Sequence, residues 1–202
     1  MPRGKPWQVL VAAVLSTRTK DEITLIAIKK LLAVARTPAQ LIRLKQTDIA
    51  NLIYPVGFYR TKARLLLKLA RAILEKHHRK VPHTRQKLFE LPGVGPKVAN
   101  IVLAQGFGLP AIAVDTHVHR ISNRLGLVRT IKPEQTEHRL RTIVPKNLWT
   151  ELNPLLVALG QTICLPRNPR CNNCPVDHLC SKCGVRSASS EPGQLDKRAC
   201  SF

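Results

Sequence analysis

Leu91-Pro92-Gly93-Val94-Gly95-Pro96-Lys97 is the stretch on which the fold turns. Apolar residues recur at helical spacing on both sides of it, over about 85–91 and 96–107, and Pro96 suits the first position of the second helix. Gly93 and Gly95 can adopt positive φ and let the backbone around Val94 come close to a ligand, while the unpaired amides of the following helix start point outward as phosphate donors. A hairpin of this kind holds a DNA backbone without reading bases. Taken alone, a tight helix–helix turn with a solvated lysine is the commoner meaning of such a sequence. The position of Lys97 in a first turn shifts that balance, because a helix dipole disfavours a cation there and so favours the free amine that a nucleophile requires.

Outward from the hairpin, the chain from Trp7 to about Gln161 reads as a succession of helices with few alternating β-branched runs, which predicts an all-α fold. Helices are expected near 6–17, 21–34, 38–44, 48–54, 58–78, 85–91, 96–107, 116–125, 133–143 and 154–163. Thr37-Pro38, Thr47, Thr84 and Asn153-Pro154 each offer an N-cap oxygen before an apolar pattern, and Gly57 and Gly126 suit turns or helix ends. Eighteen residues after Lys97, Ala113-Val-Asp115-Thr-His-Val begins another helix, with Asp115 as its cap. A carboxylate held there can also stabilise positive charge developing on a sugar ring, or help remove a proton from an attacking amine or water.

Composition narrows the partner. The 202 residues, 44% of them hydrophobic, suffice for one domain or two small ones sharing an interface. Thirty-three Lys and Arg against twelve Asp and Glu give a formal charge of +21, which attracts polyanions, nucleic acid foremost. No apolar run approaches the ~20 residues of a membrane span. The opening Met1-Pro-Arg-Gly-Lys and the apolar run Val9–Leu15 resemble a secretory signal in outline, but Ser16-Thr-Arg-Thr-Lys-Asp-Glu lacks a small-residue cleavage site, so the run is read as a buried first helix. Beyond Cys180, Ser187-Ala-Ser-Ser-Glu-Pro-Gly has little with which to build a core, and about 184–202 is expected to be a disordered tail.

Four of the six cysteines fall within seventeen residues as Cys164, Cys171, Cys174 and Cys180, with C-x₆-C-x₂-C-x₅-C spacing. So dense a set of thiols in a chain of this size points to a metal in a reducing compartment rather than to a disulfide framework. Spacing alone leaves two sites open: an iron–sulfur cube on these four, or a zinc on Cys171, Cys174, Cys180 and Cys183.

Lys97 and Asp115, with the flanking Ala99-Asn100 and Arg120, resemble the helix–hairpin–helix DNA glycosylases, in which Leu-Pro-Gly-Val-Gly, a lysine and Val-Asp-Thr-His recur in this order. The cysteine spacing, directly after the last helix, resembles the [4Fe–4S] loop of the endonuclease III family, and the similarity runs from about Trp7 to Cys180. The resemblance implies two subdomains, a six-helix central one over 1–110 and a helical one over 111–183 that ends in the cluster loop. It implies that Lys97 attacks C1′ of a flipped nucleotide, displacing the base and leaving a Schiff base, with Asp115 assisting, and that β-elimination then breaks the strand. Cys164, Cys171, Cys174 and Cys180 would hold the cluster, Cys183 and Cys200 would be spare thiols, and Arg167 and Arg170 would meet phosphates from the clamped loop.

In the family a glutamine fills the gap left by the flipped base; Arg18 stands at that position here, so opposite-base preference does not carry over directly. Gly57-Phe58-Tyr59 corresponds to the wedge loop, with Phe58 as an apolar wedge, although an aromatic at a helix start is more often core. Family members carry an additional helix before this chain's first one; either the sequence is a shortened form or its cluster-bearing half lacks some packing. The expected activity is a bifunctional DNA glycosylase and abasic-site lyase acting on oxidised pyrimidines in double-stranded DNA, as a monomer, with no membrane association. Cytoplasm or nucleoid, reducing and intracellular, is the expected place, and the sequence excludes neither a nucleus nor an organelle. Adenine-excising relatives use an acid in the first helix, which Trp7–Leu15 lacks, and mismatch glycosylases tend to lack the lysine. A monofunctional mismatch glycosylase and a non-catalytic DNA-binding module are the rival readings.

Overall fold

In a computed structural model, residues 5–185 are described, and they contain helices and no strand. The chain divides into two compact units, Met1–Ala111 and Ile112–Phe202. The expected tail from residue 186 onward, and Cys200 with it, lie outside the described residues.

The first unit contains α1 (Pro6–Ser16), α2 (Asp21–Val34), α3 (Pro38–Leu41), α4 (Gln46–Ile53), α5 (Tyr59–Lys76), α6 (Arg85–Phe89) and α7 (Pro96–Ile101). These seven helices correspond to the seven ranges expected up to residue 107, the short one at Pro38–Leu41 included, whereas the resemblance implied six. α1 is the unit's central helix: Trp7, Val9, Leu10, Val11, Ala13, Val14 and Leu15 are all buried. The apolar run that imitated a signal sequence is therefore core, and each fully buried leucine in it contributes about 1.5–3 kcal/mol. α7 continues into a π-helical turn at Val102–Gly106, where the missing side chain of Gly106 admits α1; a Cβ there would stand 3.2 Å from the Cα of Pro6.

The second unit contains α8 (Thr116–Arg124), α9 (Pro133–Ile143) and α10 (Trp149–Thr162), around a core of Ile112, Val114, Val118, Ile121, Val128, Leu140 and Leu156. Single-turn 3₁₀ segments at Cys171–Asn173 and Asp177–Leu179 follow.

Two helix starts differ from the sequence reading. Thr47 does not cap α4, whose N-cap is Lys45. α10 starts at Trp149 rather than at Pro154, which lies inside the helix. The indole nitrogen of Trp149 donates to the Val144 carbonyl at 2.9 Å and anchors the earlier start, while the Asn153 amide donates to the buried Ala113 carbonyl at 2.8 Å instead of capping. Thr37 and Thr84 do cap, accepting from the amides of Gln40 at 3.2 Å and Lys87 at 3.4 Å.

Candidate active site and cysteine loop

In the first unit the hairpin joins α6 to α7. Leu91 and Val94 are buried and Gly93 and Gly95 exposed, so the apolar pair anchors a turn whose glycine backbone faces outward. Gly93 has φ +73°, and a Cβ on it would fall 2.6 Å from Leu65, so both conformation and space call for glycine. Gly95 is the N-cap of α7, in extended conformation. Lys97 follows in the first turn of α7, half-buried.

Arg18 and Phe58 lie at two neighbouring turns of the same unit. Each is a non-glycine residue in the left-handed region, with φ of 52° and 57°, and the Arg18 guanidinium sits 5.7 Å from the centre of the Phe58 ring. Phe58 is 62% exposed, so this aromatic at a helix start is not core. Sequence reasoning missed the residue beneath them. Lys62 is the only charged member of the buried stripe of α5, beside Ala63, Leu66, Leu69, Ala70 and Ile73, and a lysine in step with an apolar stripe was the available signal. Burial, with the like charge of Lys97 as a lesser cause, brings its amine from 10.5 down to about 8.

In the second unit Asp115 caps α8, its Oδ1 accepting from the amides of His117 at 2.9 Å and Val118 at 2.8 Å. Both bonds fall on one oxygen, so the cap leaves Oδ2 uncommitted. The carboxylate is half-buried.

The cysteine loop follows α10. Cys164, Cys171, Cys174 and Cys180, with Ile121, Leu125, Leu159 and Ile163, line one small pocket that is partly open to solvent. Burial pushes the Cys180 thiol up; a hydrogen bond from the Lys182 amide opposes that shift, and the nearby Cys164, Cys174 and Cys171 add to it. Among the described residues no three His, Cys, Asp or Glu converge closely enough to hold a single ion. Four thiols lining one pocket form a donor set that suits an iron–sulfur cube or a tetrahedral zinc.

Two arginines of α8 hold this loop. Arg120 donates to the carbonyls of Cys164 at 2.8 Å and Gly160 at 3.2 Å. Arg124 donates to the carbonyls of Leu165 at 2.6 Å and Pro166 at 2.8 Å, and to Sγ of Cys164 at 3.4 Å. Arg124 was not singled out in the sequence, although it shares the buried face of α8 with Val118, Ile121 and Ser122. Burial, then the Arg124 charge, lowers the Arg120 guanidinium from its ordinary value. Arg167 and Arg170 are exposed on the loop between the first two cysteines. Cys183, expected as a spare thiol, is disulfide-bonded.

A capped α8, a glycine hairpin with a lysine in the next helical turn and a four-cysteine loop define the class of helix–hairpin–helix base excision proteins. Residues 11–146 match the HhH-GPD superfamily base excision DNA repair protein family. The chain is 49% identical to endonuclease III of Thermotoga maritima, over 87% of this chain and 82% of that one, and 38% identical to endonuclease III of Escherichia coli, over 88% and 84%. It superposes with a TM-score of 0.82 on a trapped endonuclease III–DNA covalent intermediate, an estranged-adenine complex, at 38% identity, covering 88% of this chain and 84% of that one. The chain belongs to the endonuclease III family.

Proposed function

We propose that this chain is a bifunctional DNA glycosylase and abasic-site lyase that releases oxidised pyrimidines from double-stranded DNA, with Lys97 as nucleophile. The observation that carries the reading is the position of Lys97, half-buried in the turn of helix that immediately follows the glycine hairpin. The neutral amine of Lys97 attacks C1′ of a nucleotide turned out of the stack. The C1′–N bond breaks, and the base leaves with the bonding electrons and takes up a proton. The attached nitrogen loses one proton, and its lone pair then expels O4′ from C1′; O4′ takes up a proton, the sugar ring opens and a protonated Schiff base is left at C1′. Removal of a proton from C2′ then expels the 3′ phosphate by cleavage of the C3′–O bond, and hydrolysis of the imine frees Lys97. Asp115 supports the first step as a fixed negative charge, its cap bonds orienting the carboxylate.

Gly93, Val94 and Gly95 hold the backbone of the duplex, Arg18 occupies the gap left by the base and Phe58 wedges between base steps. Cys164, Cys171, Cys174 and Cys180 would hold a [4Fe–4S] cluster; their lining of one pocket directly after α10 supports this. When bound, the cluster supplies a rigid clamp whose shape presents Arg167 and Arg170 to phosphates. The partner is DNA with a damaged base or an abasic site, met by a monomer inside the cell. No helix among the described residues is long and apolar enough to cross a membrane.

The test is strand cleavage on a duplex carrying one thymine glycol. A nick at the lesion by the wild-type protein, absent with Lys97→Ala and on undamaged duplex, supports the reading. Base release without a nick would make the protein a monofunctional glycosylase, and binding without either would make it a DNA-binding module.

A further inference from the structure

Lys62 is 6% exposed, yet its ammonium is fully engaged. Its Nζ donates to the Leu15 carbonyl at 2.9 Å, to the Thr17 carbonyl and to Thr19 Oγ1 at 3.1 Å. Three donors meet three acceptors, which satisfies the group and places a cation against the C-terminal end of α1, where the helix dipole favours it. Thr19 Oγ1 also accepts from the Gly57 amide at 3.1 Å. A Cβ on Gly57 would stand 2.6 Å from the Arg18 carbonyl oxygen, so the two turns are in direct backbone contact. One buried ammonium and one hydroxyl thus tie the turn that carries Arg18 to the turn that carries Phe58. Both residues are held at positive φ, a conformation their own side chains disfavour and the surroundings must maintain.

We propose that Lys62 is a positioning residue for lesion recognition, whose bonds to Leu15, Thr17 and Thr19 lock the Arg18 and Phe58 turns into one DNA-engaging unit. The proposal rests on the reading of Arg18 and Phe58 as the groups that meet the duplex at the lesion. Lys62 itself is too buried to touch DNA. It acts by preorganisation: with the two turns fixed in advance, ordering them is not charged against binding. At neutral pH the amine, with its value near 8, carries its proton. The requirement is specific to duplex DNA. A single strand has no orphaned base for Arg18 and no base stack for Phe58 to open, so β-elimination at an abasic site in a single strand does not depend on the pair.

The experiment compares the wild-type protein, Lys62→Met and Thr19→Val, the second variant keeping the shape of Thr19 while deleting the shared oxygen. Three readouts are taken: excision of thymine glycol from duplex, β-elimination on a single-stranded abasic oligonucleotide, and the fluorescence of 2-aminopurine opposite a tetrahydrofuran site in duplex. Loss of the ammonium and its three hydrogen bonds predicts duplex affinity weakened about tenfold in Lys62→Met, and loss of the shared hydroxyl severalfold in Thr19→Val. The single-strand rate changes much less, so the ratio of the two activities shifts, and the 2-aminopurine response on binding shrinks in both variants. A parallel fall of duplex and single-strand activity would overturn the proposal, since Lys62 would then act on Lys97 or on the fold as a whole. So would an unchanged ratio with an unchanged fluorescence response. If Lys62→Met does not fold, Thr19→Val decides by the same criteria. Should the wild-type protein excise nothing, the glycosylase reading fails, while the fluorescence response, which needs no chemistry, still decides the role of Lys62.

Discussion

The guanidinium of Arg124 lies 3.4 Å from Sγ of Cys164 and bonds the carbonyls of the next two residues, Leu165 and Pro166. The backbone of the same arginine accepts from the Cys183 amide at 3.0 Å, and the Cys180 thiol reaches its carbonyl at 3.4 Å. The first and last cysteines of the loop are therefore referenced to one residue of α8. Removing the side chain strands two carbonyls, at about 1–3 kcal/mol for each that water cannot reach. Arg124→Met is expected to lower the melting temperature and to yield protein with less iron and sulfide per chain, losing the remainder faster to a chelator. Wild-type iron content and an unchanged melting curve would contradict this.

Asp115 caps α8 and is proposed to assist the attack on the sugar, and different substitutions separate the two roles. Asparagine is as good an N-cap as aspartate, whereas alanine costs about 1 kcal/mol of helix stability. Asp115→Asn is expected to keep the wild-type denaturation midpoint while losing most excision activity; Asp115→Ala is expected to lose both. Equal excision by Asp115→Asn and the wild type would confine Asp115 to its capping role.

Lys62 gives stability a distinctive pH dependence. Its amine titrates at about 8 in the fold and at 10.5 when exposed, burial being the main cause. Below pH 8 both states are protonated, and the cost of burying the ammonium is fully present. Between about 8 and 10.5 the unfolded chain holds a proton that the folded one has released, so rising pH favours the fold. Denaturant titrations of the wild type and Lys62→Met at several pH values are expected to show the difference moving in the wild type's favour across that window. A constant difference, or one of opposite slope, would contradict the assignment.

The boundary between what could and could not be read in advance follows the range of the interactions. Thr37, Thr84 and Asp115 cap amides two or three residues away, so a short window of sequence contains both partners. The hairpin is similarly local, and its glycines announce it. Asn153-Pro154 has the same local look, but the helix starts upstream at Trp149, which bonds Val144, and the Asn153 amide is taken by Ala113, 40 positions away. Lys62 bonds Leu15 across 47 positions, and Arg124 bonds Leu165 across 41. Which carbonyls end a helix facing a given lysine is a property of packing, and only a charged residue in a buried stripe hints at it. Phe58 shows the converse: an aromatic at a helix start reads as core, and its left-handed backbone and exposure appear only in the folded chain.

The central claim is that the Lys97 amine becomes covalently joined to the sugar of a damaged nucleotide. Borohydride reduces an imine to a stable amine, so it captures that species and no non-covalent complex. The direct measurement is reductive trapping of the protein on a duplex with one thymine glycol, beside undamaged duplex and Lys97→Ala, with peptide mapping of the adduct. The account predicts a single protein–DNA adduct, formed only with the lesion, absent in Lys97→Ala and mapped to Lys97. No adduct from folded protein with its metal intact, or an adduct mapped to another amine such as Lys62, would contradict it.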